Sequence, residues 1–182
     1  VIEAMHRALD NTENYMYSLV ALPRLHQAIV NWYIRRFNVF LDQEKEVLVL
    51  MGSQDGLAHL ALACVNSGDL ALVPDPGYPI YSTSVYLAEG EVYPMPLLAE
   101  NNFLPDLDSI PADVARKAKI MYLNYPNNPV AVSANRAFYE KVVEFADKYN
   151  ILVCHDAAYC ELAYDGFKPM SFLEVSGAKD IG

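Results

Sequence analysis

Basic charge is scarce in this sequence. Lys and Arg number 13 against 23 Asp and Glu, a formal net charge of -10, and no basic run gathers the few cations there are. Nucleic acids and anionic membrane surfaces both require clustered Lys and Arg, so neither is an expected partner. Cysteine is nearly absent too: Cys64, Cys154 and Cys160 are odd in number and irregularly spaced. That argues against a disulfide framework and against a zinc site of the Cys/His type, and makes reduced thiols in a cytoplasmic protein the expectation. Cys154 falls within an apolar run, where a thiol behaves as a small buried hydrophobe. No apolar stretch approaches the roughly 20 residues needed to span a bilayer, and no signal-peptide pattern is present. Neither a G-K-[ST] triphosphate loop nor the G-x-G-x-x-G dinucleotide pattern occurs.

What remains is the composition of an ordinary folded chain, 53% hydrophobic and 20% charged over 182 residues. That length suits one substantial α/β domain. Helical and strand patterns alternate. Helices are expected over 25–37 (Leu25, Ile29, Trp32, Tyr33 and Phe37 on one side), 56–66, 82–87, 110–117 and 135–149. Short apolar runs at 46–51, 70–73, 91–97, 120–124 and 151–155 read as strands, the first (E-V-L-V-L-M) as a buried one. Continuous apolar strands separated by helices predict a three-layer α/β/α architecture around a mostly parallel sheet. The chain opens at Val1 already in a helical pattern and closes on a loop-like S-G-A-K-D-I-G. Both ends look cut from something longer.

Ligands of such sheets collect beyond the carboxyl ends of the strands. Here those ends carry G-S-Q-D-G, P-D-P-G-Y, N-Y-P-N-N-P and H-D-A-A-Y. The first is either a turn aiming helix N-terminal amides at an anion or an ordinary strand-to-helix turn with Ser53 as N-cap. Tyr78, fixed by a rigid Pro/Gly turn, suits stacking on a flat ring and equally a plain surface turn; Tyr81 carries a weaker form of the same signal. Asn128 sits in a constrained X-Pro segment that either presents its amide or merely ends a strand. Asp156 is the sharpest residue. A carboxylate directly after I-L-V-C-H stands at the edge of an apolar interior and wants a cationic partner. The only local candidate, His155, faces the other way in a strand. A pyridinium nitrogen suits Asp156, and so does a bland role as helix N-cap or loop residue. Tyr159, three residues on, is placed to join the same site.

Together, G-S-Q-D-G-L-A-H-L, V-P-D-P-G-Y-P-I-Y, L-N-Y-P-N-N-P and C-H-D-A-A-Y resemble the class I/II aminotransferases, fold-type I enzymes that use pyridoxal 5′-phosphate (PLP). The resemblance covers essentially the whole chain in the family's order, and is closest to the branch of LL-diaminopimelate and alanine- or aspartate-type transaminases. It implies that residues 1–182 form part of a PLP-binding large domain. Ser53 and Gln54 match positions that bind the cofactor phosphate, and Tyr78 the aromatic stacked on the pyridine ring. Asn128 and Tyr159 match the groups bonded to the ring's phenolic oxygen, and Asp156 the partner of the pyridinium nitrogen. Tyr17, in Y-S-L-V-A-L-P-R-L, matches a tyrosine reaching the phosphate of a neighbouring subunit, so a homodimer is implied; Tyr15 is the alternative.

Three departures stand against this. Val130 and Ala131 replace a hydroxyl residue and a glycine in Y-P-N-N-P-V-A. The segment after Tyr17 is one residue short and has Ala21 in place of Gly. The family's Schiff-base lysine, in an S-x-S-K-like context, is expected beyond Gly182, because neither Lys168 nor Lys179 sits in such a segment. The resemblance also implies that two further strands normally lie between 46–51 and the other strands, and that the substrate arginine lies later still. Expected of the parent protein is transfer of an amino group between an amino acid and a 2-oxo acid. A C–S lyase or decarboxylase of the same fold, and a non-catalytic chain, are the other readings.

Overall fold

Four of the five apolar runs become strands, all parallel: β1 (Leu70–Asp75), β2 (Glu91–Pro96), β3 (Ala118–Asn124) and β4 (Leu152–Asp156), in the spatial order β2-β1-β3-β4. The computed structural model describes residues 1–17 and 21–182, which divide into two units, Val1–Val49 and Leu50–Gly182.

The sheet belongs to the second unit, and its strand residues divide by parity between two cores. Ala71, Val73, Ile120 and Tyr122 face α3 (Ser53–Cys64) and α4 (Pro79–Leu87). Leu70, Leu72, Met121, Leu123 and Val153 face the opposite layer. That layer holds α5 (Ala112–Lys117), α6 (Arg136–Tyr149) and α7 (Ala178–Ile181). Both faces are covered, so the central strands read as unbroken apolar runs rather than alternating ones. The edge strand β2 tolerates Pro94 and Pro96, which cannot donate to a ladder. The helix α6 is framed by local chemistry. The Asn135 side chain accepts from Phe138 N at 2.9 Å, and Asn150 closes the helix in the left-handed region at φ 56°.

In the first unit, α1 (Ile2–Leu9) leaves its apolar residues exposed, and α2 (Pro23–Phe37) begins with Pro at its first turn and ends at left-handed Asn38. Burial on α2 falls on Val30 and Phe37, whereas Leu25, expected on the inner face, is exposed.

The expected strand at 46–51 does not form. Leu48 is 80% and Met51 94% exposed, and the segment has no regular structure. Among the described residues no strand lies beside it. An apolar run supplies side chains for a buried strand, but the backbone still needs a neighbour on the ladder.

Candidate active site

The C-terminal ends of β1, β3 and β4 and the N-terminal ends of α3 and α4 carry the four sequence motifs, with P-D-P-G-Y joining β1 to α4. Gly52 enters α3 at φ +103°, a conformation that suits glycine, and Ser53 is the first helical residue. Ser53 is therefore not the N-cap: that position is Gly52, which has no side chain to cap the helix, so among the described residues its first amides remain as donors. Asp55, in that first turn, is engaged by His59 at 3.1 Å.

The P-D-P-G turn requires glycine at 77, where a Cβ would stand 2.3 Å from the Pro74 carbonyl oxygen. Tyr78 follows it at the head of α4, and its phenol donates to Gln54 Oε1 at 3.0 Å. Two motifs far apart in sequence thus meet. The half-exposed Tyr78 ring stands edge-on to Tyr81 (6.0 Å, 76°), and Tyr81 stacks on Tyr122 (5.0 Å, 18°). Tyr81 is not a ring platform open to a ligand: it is 0% exposed. Its phenol donates to Asp156 Oδ2 at 2.7 Å. Burial, and then the hydrogen bond to that carboxylate, push the Tyr81 phenol far above its ordinary pKa, so it stays a neutral donor.

Asp156 ends β4 on the α3–α4 side of the sheet. Its other oxygen, Oδ1, accepts from Ala158 N at 3.2 Å. Among the described residues its hydrogen-bond partners are thus a phenol and an amide, both neutral. The cation that the sequence demanded is not supplied by His155, which points to the opposite face as strand parity requires. Burial holds the His155 imidazole down at about 4, so it is neutral near pH 7.

Asn128 is exposed, and its turn is fastened by a residue that sequence reasoning missed. Asn124, the last residue of β3, accepts from Asn128 N at 2.8 Å through Oδ1 and donates to the Asp156 carbonyl at 3.0 Å through Nδ2. One buried amide side chain therefore links the Y-P-N-N-P turn to the end of β4. Asn127 adds two bonds within the turn, donating to Asn124 O and accepting from Val130 N, both at 3.1 Å. The available signal for Asn124 was its place as the terminal polar residue of an apolar strand. Tyr159 is exposed, close enough to Tyr81 to contribute to the rise of its phenol.

Tyr17 lies in the first unit and is 96% exposed. Ser18, Leu19 and Val20 of its motif lie outside the described residues. Tyr15, the alternative, spends its phenol on the Leu9 carbonyl.

Known proteins share this arrangement over the whole chain. LL-diaminopimelate aminotransferases of Desulforudis audaxviator and Syntrophobacter fumaroxidans are 51% and 52% identical over 183 residues, covering 100% of this chain and 47% of each relative. The chain therefore spans about half the length of the curated relatives it matches. The structure of substrate-bound BacF from Bacillus subtilis superposes with a TM-score of 0.92 at 42% identity, over 100% of this chain and 46% of that one. A probable N-succinyldiaminopimelate aminotransferase from Thermus thermophilus gives 0.89 at 36%, over 99% and 48%. The parallel sheet, the motifs gathered at its carboxyl edge, and a match of residues 1–181 to the sequence pattern of aminotransferase class I and II place this chain in that family.

Proposed function

We infer that the complete protein is a PLP-dependent aminotransferase that moves an amino group between an amino acid and a 2-oxo acid. The observation that carries this reading is the environment of Asp156: a carboxylate at a strand end, oriented by two neutral donors, beside an uncapped helix N-terminus and a half-exposed tyrosine. Those features fit PLP on their chemistry. The α3 amides, with Ser53 and Gln54, would hold its phosphate. Tyr78 would lie against its ring, and Asn128 and Tyr159 would bond its phenolic oxygen. Asp156 would take its ring nitrogen, keeping that nitrogen protonated. Bound there, PLP supplies a sink for the electrons released when a substrate Cα–H bond breaks. Lys168 and Lys179 are exposed, which supports placing the covalent lysine outside these residues.

Relatives named for LL-diaminopimelate make that amino acid the first donor to try, alongside alanine, aspartate and cystathionine. Product analysis with the four also separates transamination from C–S lysis and decarboxylation. Tyr17, free at the surface, supports a homodimer in which it reaches a partner's phosphate. The absence of a disulfide among the described residues supports a reducing, cytoplasmic setting. Among the described residues no helix is long and apolar enough to cross a membrane. The decisive experiment is Asp156→Ala in the complete protein. PLP affinity and turnover should both collapse, and unchanged values would remove the assignment.

A further inference from the structure

The end of β4 contains a substitution of hydrogen-bond partners. Tyr125 N donates to the Asp156 carbonyl at 3.2 Å, continuing the parallel β3–β4 ladder one residue past β3. In a parallel ladder the Tyr125 carbonyl should next accept from the amide two residues beyond Asp156, which is Ala158. That amide turns instead to Asp156 Oδ1 at 3.2 Å. The Tyr125 carbonyl, on a buried residue, then needs another donor. It finds one in His155, whose Nε2 lies 3.1 Å away.

A carbonyl can only accept, so this contact fixes the imidazole proton on Nε2 and leaves Tyr139 Oη, 2.9 Å from the same nitrogen, as a second acceptor. The Tyr139 and Phe172 rings enclose the imidazole at 5.3 and 6.3 Å. Burial keeps that ring neutral, as a single-proton donor must be.

We propose that His155 is a positioning residue for Asp156. By supplying the Tyr125 carbonyl with the donor that the ladder withholds, its imidazole frees the Ala158 amide to orient the carboxylate. Consecutive residues of β4 thus grip Tyr125 at both ends, Asp156 through its carbonyl and His155 through its ring, and Tyr125 leads into the Y-P-N-N-P turn. The His-Asp pair acts as one unit, with its polar atoms divided between the two faces of the sheet. The link from Asp156 to cofactor rests on the function proposed above; the hydrogen-bond exchange does not.

The test uses the complete protein and three variants. His155→Gln carries an N–H at similar reach, His155→Asn is one bond too short, and Tyr139→Phe removes only the second acceptor. Amide exchange of the cofactor-free protein, read over peptides covering 124–129 and 156–160, should rise about tenfold in His155→Asn, the order of effect of losing one buried hydrogen bond. It should stay near the wild-type rate in His155→Gln and Tyr139→Phe, with peptides from β1 unchanged in all. The dissociation constant for PLP should rise about tenfold in His155→Asn and stay within about twofold in the other two.

Wild-type exchange in His155→Asn overturns the clasp, whatever PLP does. The same rise in Tyr139→Phe overturns it too, by making the phenol the partner that matters. Faster exchange with unaltered PLP affinity, while Asp156→Ala weakens binding, overturns the positioning role and leaves the cofactor reading standing. If Asp156→Ala itself leaves PLP affinity unchanged, the cofactor reading falls and this role falls with it, while the exchange rates still decide the clasp.

Discussion

His155 and Asp156 are neighbours in β4, yet they serve two sides of the sheet that are built on different terms. On the α6 side the polar atoms at the strand ends are closed on one another: imidazole, Tyr125 carbonyl and Tyr139 phenol are enclosed by aromatic rings. On the α3–α4 side they are left open. Among the described residues Asp156 has only neutral hydrogen-bond partners, the Gly52 N-cap of α3 supplies no side chain, and Asn128 and Tyr78 reach the surface. A closed polar cluster fixes backbone positions, and an open one keeps its interactions for a ligand. The difference is a single step in strand parity.

The sharpest way to break this comparison is to exchange what each residue is asked to do. Asp156→Ala should weaken PLP retention about 100-fold, on the order of 3 kcal/mol for a charge-assisted hydrogen bond. It should lower thermal stability only modestly, because the buried Tyr81 phenol loses its acceptor while a carboxylate without a cation is removed. Equilibrium dialysis and a melting curve on the same preparation check both halves. A large fall in melting temperature would place Asp156 among the structural residues instead.

His155 should show the opposite balance, visible in the pH dependence of stability. Its folded pKa is about 4 against an ordinary 6.5. Between those values the unfolded chain binds a proton that the folded chain does not, so stability falls as pH drops through that window and recovers as pH rises. The gap corresponds to on the order of 3 kcal/mol, fully lost below about pH 4. Tyr139 faces the ring directly, and Asp156 acts on it from across the strand in the direction that resists this depression. His155→Gln has no proton to bind and should flatten that part of the curve, measured by urea unfolding at about pH 4, 5.5 and 7. An unchanged slope would mean that other groups carry the acid sensitivity.

Tyr81→Phe tests the open side with its packing intact. The ring keeps its stack on Tyr122, and only the 2.7 Å bond to Asp156 is lost. About tenfold weaker PLP binding is expected, with little change in the fold. A variant indistinguishable from wild type would show that Ala158 N alone orients the carboxylate.

How much of this was legible beforehand depended on whether one segment held its own explanation. The E-V-L-V-L-M run at 46–51 and I-L-V-C-H-D at 151–156 look alike as apolar runs. The second is a strand because β3 pairs with it from Ile120 to Asn124; the first has no such neighbour among the described residues. Hydrophobicity is local, but ladder partners are not. The same distinction holds at the site. Ser53, Tyr78, Asn128 and Asp156 stand out in the sequence because each follows a strand or opens a helix. The roles of Asn124, Tyr81 and His155 rest on contacts 32, 75 and 30 residues away along the chain, which no local pattern encodes. At Tyr81 the sequence carries only a weak ring signal shared with a plain surface turn, whereas the informative atom is its hydroxyl.

The smallest effect comes from a polar atom on the open side that has nothing to wait for. Tyr122 is fully buried beneath Tyr81, and among the described residues its hydroxyl has no hydrogen-bond partner. Ser84 is near enough to act on the Tyr122 phenol, but the contact falls short of hydrogen-bond geometry, and the Ser84 hydroxyl donates to the Tyr81 carbonyl at 3.1 Å. Burial pushes the Tyr122 phenol up to about 12, so it stays neutral, and its unmet hydrogen bond is a standing cost. Unlike Asp156, Tyr122 lies under the aromatic stack rather than at the strand end, where a cofactor would meet it. Removing its oxygen should therefore help the fold and leave the site alone. Tyr122→Phe is expected to raise stability by about 1 kcal/mol, a few degrees in melting temperature, with PLP affinity unchanged. A destabilised Tyr122→Phe would mean that the hydroxyl is satisfied in solution by an ordered water, and the open side would then extend deeper into the sheet than the strand ends.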